Sequence, residues 1–171
     1  MQMKKTILLF LFGTITMAVL LRFQGKPLNT SHAPLGIVSM ELANTLNKTN
    51  AVVSDWKSGF SDVFYQNVLL DFLFICLYGG LFYSLSRYFA IHFPSLKKAG
   101  IHFSRLAIVA ALLDVFENSL MLVSFSGHVH SLISFFTFLF ASLKFILLAA
   151  IIVFLLFAWV FTRRLRKIIK N

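Results

Sequence analysis

Four long apolar runs, separated by short polar breaks, set the plan of this 171-residue chain. They cover about 6–22, 63–89, 102–125 and 131–162. A helix needs roughly 17–25 apolar residues to cross a hydrocarbon layer, so each run predicts one span. The break at 126–130 is too short for anything but an antiparallel hairpin, and the break around Pro94 and Gly100 is only slightly longer. The one long connection is an outer loop over 23–62, opened by Gly25, Pro27, Pro34 and a run of Asn, Thr and Ser. Within it, Leu35, Val38, Leu42 and Leu46 recur at helical spacing opposite Ser39, Glu41, Asn44, Thr45 and Lys48. That pattern predicts an amphipathic helix of about four turns, too polar to span and suited to lying at an interface. Trp56 reads as a headgroup-level anchor. The expected fold is all-α: a polytopic membrane four-helix bundle in a single domain over 1–171, with an extra amphipathic interfacial helix between spans one and two.

Charge changes the picture by giving it a direction. Eleven Lys and Arg flank the runs on the side shared by the N-terminus, the loop near Pro94 and the C-terminal tail; only Arg22, Lys26, Lys48 and Lys57 fall on the other side. The positive-inside rule then puts both termini in the cytoplasm of a cell inner (plasma) membrane and the 23–62 loop outside. The first run, preceded by Lys4 and Lys5, also has the format of a secretory signal. It ends in Leu20-Leu21-Arg22 without a good small-x-small cleavage site, and the reading adopted is a retained helix.

Composition agrees. The chain is 58% hydrophobic, carries 21 Phe and has a mean hydropathy of +0.83, above the roughly 45–50% apolar share of a soluble domain. A net charge of +10 would suit nucleic acid, but the charges sit beside the apolar runs, which points to topology and to anionic lipid at the cytoplasmic face. The expected partners are therefore the lipid bilayer and that anionic lipid, with no nucleic acid; an oligomer or a membrane-protein partner stays open. Cys76 is the single cysteine, which excludes an internal disulfide and dithiol chemistry.

Candidate chemistry lies where lipid is least tolerant of it. Asp71, Asp114, Glu117 and Lys144 interrupt the second, third and fourth runs. A charge at the bilayer centre costs at least about 2.5–3.5 kcal/mol on the insertion scale, so these groups require each other, water or a ligand. On a helix, Asp114, Glu117 and Asn118 share one face, extended by Ala107, Ala110, Ala111 and Met121. Small residues permit close helix approach, so this stripe is expected to face the other helices, with Phe116 outward. Ser134, Thr137, Ala141, Lys144 and Leu148 form a similar stripe in the fourth run, and Asn67, Asp71, Phe74 and Tyr78 one in the second. At about 1.5 Å per residue, Asp71 and Glu117 fall at similar depth, with Asp114 and Lys144 slightly deeper.

Three carboxyls facing one ammonium leave a surplus of acid, so a carboxyl keeps its proton or a cation completes the site. Glu41 reads as a solvated residue of the loop helix; were that helix to fold over the bundle as a lid, Glu41 and Trp56 would close the site from outside. His128-Val129-His130 is a solvated turn with no nearby Cys or acid, and no metal site is expected. No phosphate loop, nucleophile elbow or H-E-x-x-H motif is present, and the sequence names no cofactor.

Asp114-x-x-Glu117-Asn118, with Asp71 in the second helix and Lys144 in the fourth, resembles the pattern of small four-helix bacterial inner-membrane proteins that carry an acid-x-x-Glu-Asn motif in the third helix. The family has no characterised activity, so the resemblance implies fold and location alone. The function expected is binding of a small polar or cationic ligand, or a lipid headgroup, at Asp71, Asp114, Glu117, Asn118, Lys144 and Glu41, in transport or membrane homeostasis. Its alternatives are an intramembrane lipid-modifying enzyme and a structural subunit of a membrane complex. Whether the chain is an enzyme is open.

Overall fold

The structure, a computed structural model, describes residues 2–170, with side chains placed through Arg164. Arg166, Lys167 and Lys170, counted above in the basic tail, lie outside the described side chains. Six α-helices follow in order: α1 Gln2–Gln24, α2 Ile37–Glu41, α3 Leu46–Lys57, α4 Ser61–His92, α5 Lys97–Phe125 and α6 Ser131–Lys170. Short 3-10 turns at Lys26–Leu28 and Pro94–Leu96 join them, and no strand occurs among the described residues.

Each of the four apolar runs falls inside one of the four long helices, and all four are long and apolar enough to cross a membrane. They run up and down, but not as a closed ring. α1 packs chiefly on α4, α4 on α5 and α5 on α6, while α4 and α6 meet only slightly. α5 is thus wedged between two neighbours and α1 stands at the edge. This order explains the burial pattern: α5 hides Gly100, Ser104, Ala107, Ala110, Asp114, Glu117, Asn118 and Met121, whereas α1 hides only Met17. The remaining faces carry large apolar side chains outward, including Leu9, Phe12, Leu69, Phe116, Leu132 and Val153.

The loops have local causes. Phe93 precedes Pro94 and adopts an extended conformation, which stops α4. Lys97, Lys98 and Gly100, expected in a loop, instead form the first turn of α5. Gly100 makes this possible: a Cβ there would lie 2.6 Å from the Ser86 carbonyl oxygen of α4. Gly127, at φ +107, supplies the left-handed residue that turns the chain between α5 and α6.

The connection after α1 departs from expectation. A single amphipathic helix over 35–48 is replaced by the short α2, a turn, and α3. Thr45 is extended and its hydroxyl accepts from the Lys48 N–H at 3.4 Å, so it starts a new helix rather than continuing one. The faces change accordingly. Leu35, Leu42 and Leu46, read as the apolar stripe, are exposed, while Met40 and Glu41 turn inward. Together α2 and α3 form a cover over one end of the long helices, touching α5 and α6. Trp56 is not a surface anchor: it is fully buried and donates from Nε1 to the Leu28 carbonyl at 2.8 Å. Beneath it Phe64 stacks on Phe125, ring centroids 4.1 Å apart, and Met121 and Val68 complete the core of this cover end.

Candidate functional site

The polar stripe of α5 fixes the site because positions three and four apart share a helix face. Asp114, Glu117 and Asn118 all point inward, toward α4 on one side and α6 on the other, and Phe116 points out. From α6 comes Lys144. A helical Cα–Cβ bond leans toward the N-terminus, which aims this side chain at the cover end. There its Nζ lies 2.8 Å from Glu117 Oε2, 2.9 Å from Asp114 Oδ1 and 3.5 Å from Glu41 Oε2. Glu41 arrives from α2, the last residue before that helix ends. The lid arrangement considered for Glu41 is therefore the one observed, and its solvated alternative is not.

Two residues of α4 complete the cluster. The Tyr78 hydroxyl donates to Asp114 Oδ2 at 2.6 Å, so Asp114 bridges phenol and ammonium. Asn118 donates from Nδ2 to Asp71 Oδ2 at 2.6 Å. All six residues singled out from the sequence thus lie in one connected region. Helical spacing puts Tyr78 on the right face but does not identify it as the partner of Asp114. Its pairing depends on the α4–α5 register, set where Gly79 approaches the Ala111 Cβ, and periodicity within one helix does not contain that register.

The site is buried and acid-rich. Glu117 is 0% exposed, Lys144 and Asp114 4%, and Glu41 8%. If every group ionised, the three carboxylates around Lys144 would leave two uncompensated charges, and Asp71 would add a third. Burying an unmatched charge is costly. Acceptors also outnumber donors: both Asp114 oxygens are engaged, yet Glu117 Oε1 has no hydrogen-bond partner. Burial pushes the Glu41 carboxyl above its ordinary value, Lys144 pulls it down, and Asp114 raises it again. Such a cluster can take up further donors, either protons or an ammonium-like cation.

Asp71 is only half-buried and connects the cluster to open space. It lines a cavity of about 630 Å³ bounded by the C-terminal end of α1, the loop leading to α2 and the start of α4. Asn67 forms part of the same wall and ties α4 to α1, donating to Gln24 Oε1 at 2.7 Å. His128 stands exposed in the α5–α6 turn, where its Nδ1 lies 3.2 Å from Ser126 Oγ, and Cys76 is exposed on α4. Neither belongs to the cluster.

No protein-family model, curated protein or solved structure matches the chain.

Proposed function

We propose that the chain is a multi-pass membrane protein that binds a small cationic ligand, or the amine of a lipid headgroup, at the acid–lysine cluster. In this reading the protein sits in an inner membrane with both termini cytoplasmic and the cover facing outward. Support for the membrane setting comes from the outward leucines and phenylalanines of the long helices, which water would not tolerate over so wide an area. Support for the orientation comes from the eleven-to-four charge distribution.

One observation carries the binding reading. A lock between helices needs a single acid for Lys144, and this cluster supplies three, with a fully buried Glu117 oxygen left over. The surplus is capacity for a donor from outside. Asp71, open to the cavity, is the entrance.

Two experiments test this. In a Cys76→Ser background, cysteines at Lys48 and Lys97 should react with an impermeant maleimide from opposite sides of the membrane; equal labelling in intact cells would sink the topology. For the cluster, ethanolamine should raise the thermal midpoint of the purified protein in detergent. Glu117→Gln leaves Lys144 paired with Asp114 and Glu41, so a folded protein is expected, with the ethanolamine effect lost. A folded Glu117→Gln variant that still responds as the wild type does would reduce the cluster to glue between helices.

A further inference from the structure

The cavity beside Asp71 carries charge that the cluster does not explain. Arg22 and Lys26 line it, both exposed, and neither forms an ion pair among the described residues. In the orientation proposed above they lie on the outer side, where topology disfavours positive charge, so insertion gives no reason for them. They flank the point where the apolar run of α1 ends, which is headgroup depth. Across the cavity stands Asp71, with Oδ2 held by Asn118 and Oδ1 left for another donor. Two cations and one acid therefore share one space. The mouth is apolar: Phe23 is 73% and Leu35 63% exposed, both lining the same cavity.

The fold builds this space deliberately at two points. A Cβ on Gly25 would come 2.8 Å from Asn67 Nδ2, and Gly36 holds φ +59 against Asn29. Glycine keeps the loop turned back toward α4, so Arg22 and Lys26 border the same space as Asp71 rather than facing away from it.

We propose that this cavity binds a phosphoamine group, its phosphate against Arg22 and Lys26 and its ammonium against Asp71. The shape of the charge selects it: two positive groups match a phosphate, and a carboxylate one step deeper matches an amine. Exposed phenylalanine and leucine at the mouth suit the acyl chains of an amine-bearing phospholipid, although a free phosphoamine carries the same recognition elements. The proposal rests on the cluster reading, since Asp71 is the outermost acid of that cluster, and it names the ligand class.

The test measures dissociation constants of the full-length protein in detergent for short-chain phosphatidylethanolamine, short-chain phosphatidylglycerol, phosphoethanolamine and ethanolamine. Phosphatidylethanolamine should bind at least tenfold more tightly than phosphatidylglycerol. Arg22→Gln with Lys26→Gln, at exposed positions that leave the fold intact, should weaken it at least tenfold. Asp71→Asn should abolish the preference between the two lipids. Phosphoethanolamine binding within threefold of the lipid assigns the site to a soluble ligand, and binding tenfold weaker assigns it to a lipid; both support a phosphoamine. Equal affinity for the two lipids, or no effect of the double glutamine variant, overturns the proposal. Ethanolamine separates the two readings. If it binds and responds to Glu117→Gln but not to the Arg22 and Lys26 changes, the cluster stands and the phosphate site falls. If phosphatidylethanolamine binding needs Arg22 and Lys26 but is indifferent to Glu117→Gln, the cavity stands and the deeper cluster takes no part.

Discussion

The two ends of the long helices are built on different physics. At the cover end, three buried acids, the half-buried Asp71, a lysine, a tyrosine and an asparagine meet between the long helices and α2. At the tail end the core is Phe89, Leu96, Phe154 and Ala158, with Phe103 stacked on Phe154 at 4.3 Å and only 7° between their planes. Its buried polar side chains are hydroxyls, and Ser104 answers its own helix by donating to the Ile101 carbonyl at 2.8 Å. Gly100 sits against the Ser86 backbone, so packing rather than charge holds α4 to α5 there. The difference teaches where strain is tolerated: one end is arranged for close fit, the other keeps polar groups whose stabilising value depends on complete pairing.

The largest effect should come from unpairing the cover end. Lys144→Met alone leaves Glu117, Asp114 and Glu41 without their shared cation, and loss of one member of a buried ion pair typically costs about 3–5 kcal/mol. Unfolding in mixed detergent–SDS titrations should show that loss; a wild-type midpoint would mean the acids are neutral or hydrated and would dissolve the contrast. Next comes the tail end. Gly100→Val forces atoms into the Ser86 carbonyl and Ala90, an overpacking cost of about 1–3 kcal/mol in the same titration, with ethanolamine binding retained in the folded fraction. A binding defect equal to that of Glu117→Gln would show that the ends are not separable.

A smaller effect distinguishes the cover from the helices beneath it. Burial holds the folded-state value of Glu41 above 4.5, so its contribution to stability falls as pH rises from about 4.5 through that higher folded value. Glu41→Gln should remove this slope, which is at most about 1.4 kcal/mol per pH unit for one group. Parallel pH profiles for the two proteins would place Glu41 in water. Smallest of all is the surface of the cover, where Asp55 accepts from the Thr30 hydroxyl at 2.7 Å and meets His32 Nδ1 at 3.0 Å. The Thr30 bond, then His32, holds Asp55 below 3.8, so this clasp contributes above 3.8 and is lost as pH falls below that value. Asp55→Asn should flatten that acidic limb by lowering the neutral midpoint slightly toward the wild-type value in acid, with the acid midpoint unchanged.

Hydrophobic runs made the four long helices legible, because length and hydropathy are properties of one segment. The α5 stripe was legible for the same reason: Asp114, Glu117 and Asn118 share a face whatever the neighbours are. What periodicity within one segment does not carry is register and the choice of partner in a second. Over 35–48 a good helical period exists, but Thr45 begins its own helix and tertiary contacts turn Met40 and Glu41 inward instead of the leucines. Trp56 has the composition of an interface anchor, yet the Leu28 carbonyl gives its indole a buried partner. The row order, with α1 at the edge and α5 in the middle, follows from which helix presents small residues on its inward face, and α5 does so with Gly100, Ala107 and Ala110.

A helix of only five residues carries Glu41 down to a lysine planted in α6. On the proposed reading, that contact couples closure of the cover to occupancy of the cluster. A cation that competes with Lys144 for the carboxylates loosens the cover by the factor by which the open cover favours that cation, and the reverse holds equally. Measuring how fast the amides of α2 exchange with solvent, with and without ethanolamine, would read that reciprocity directly.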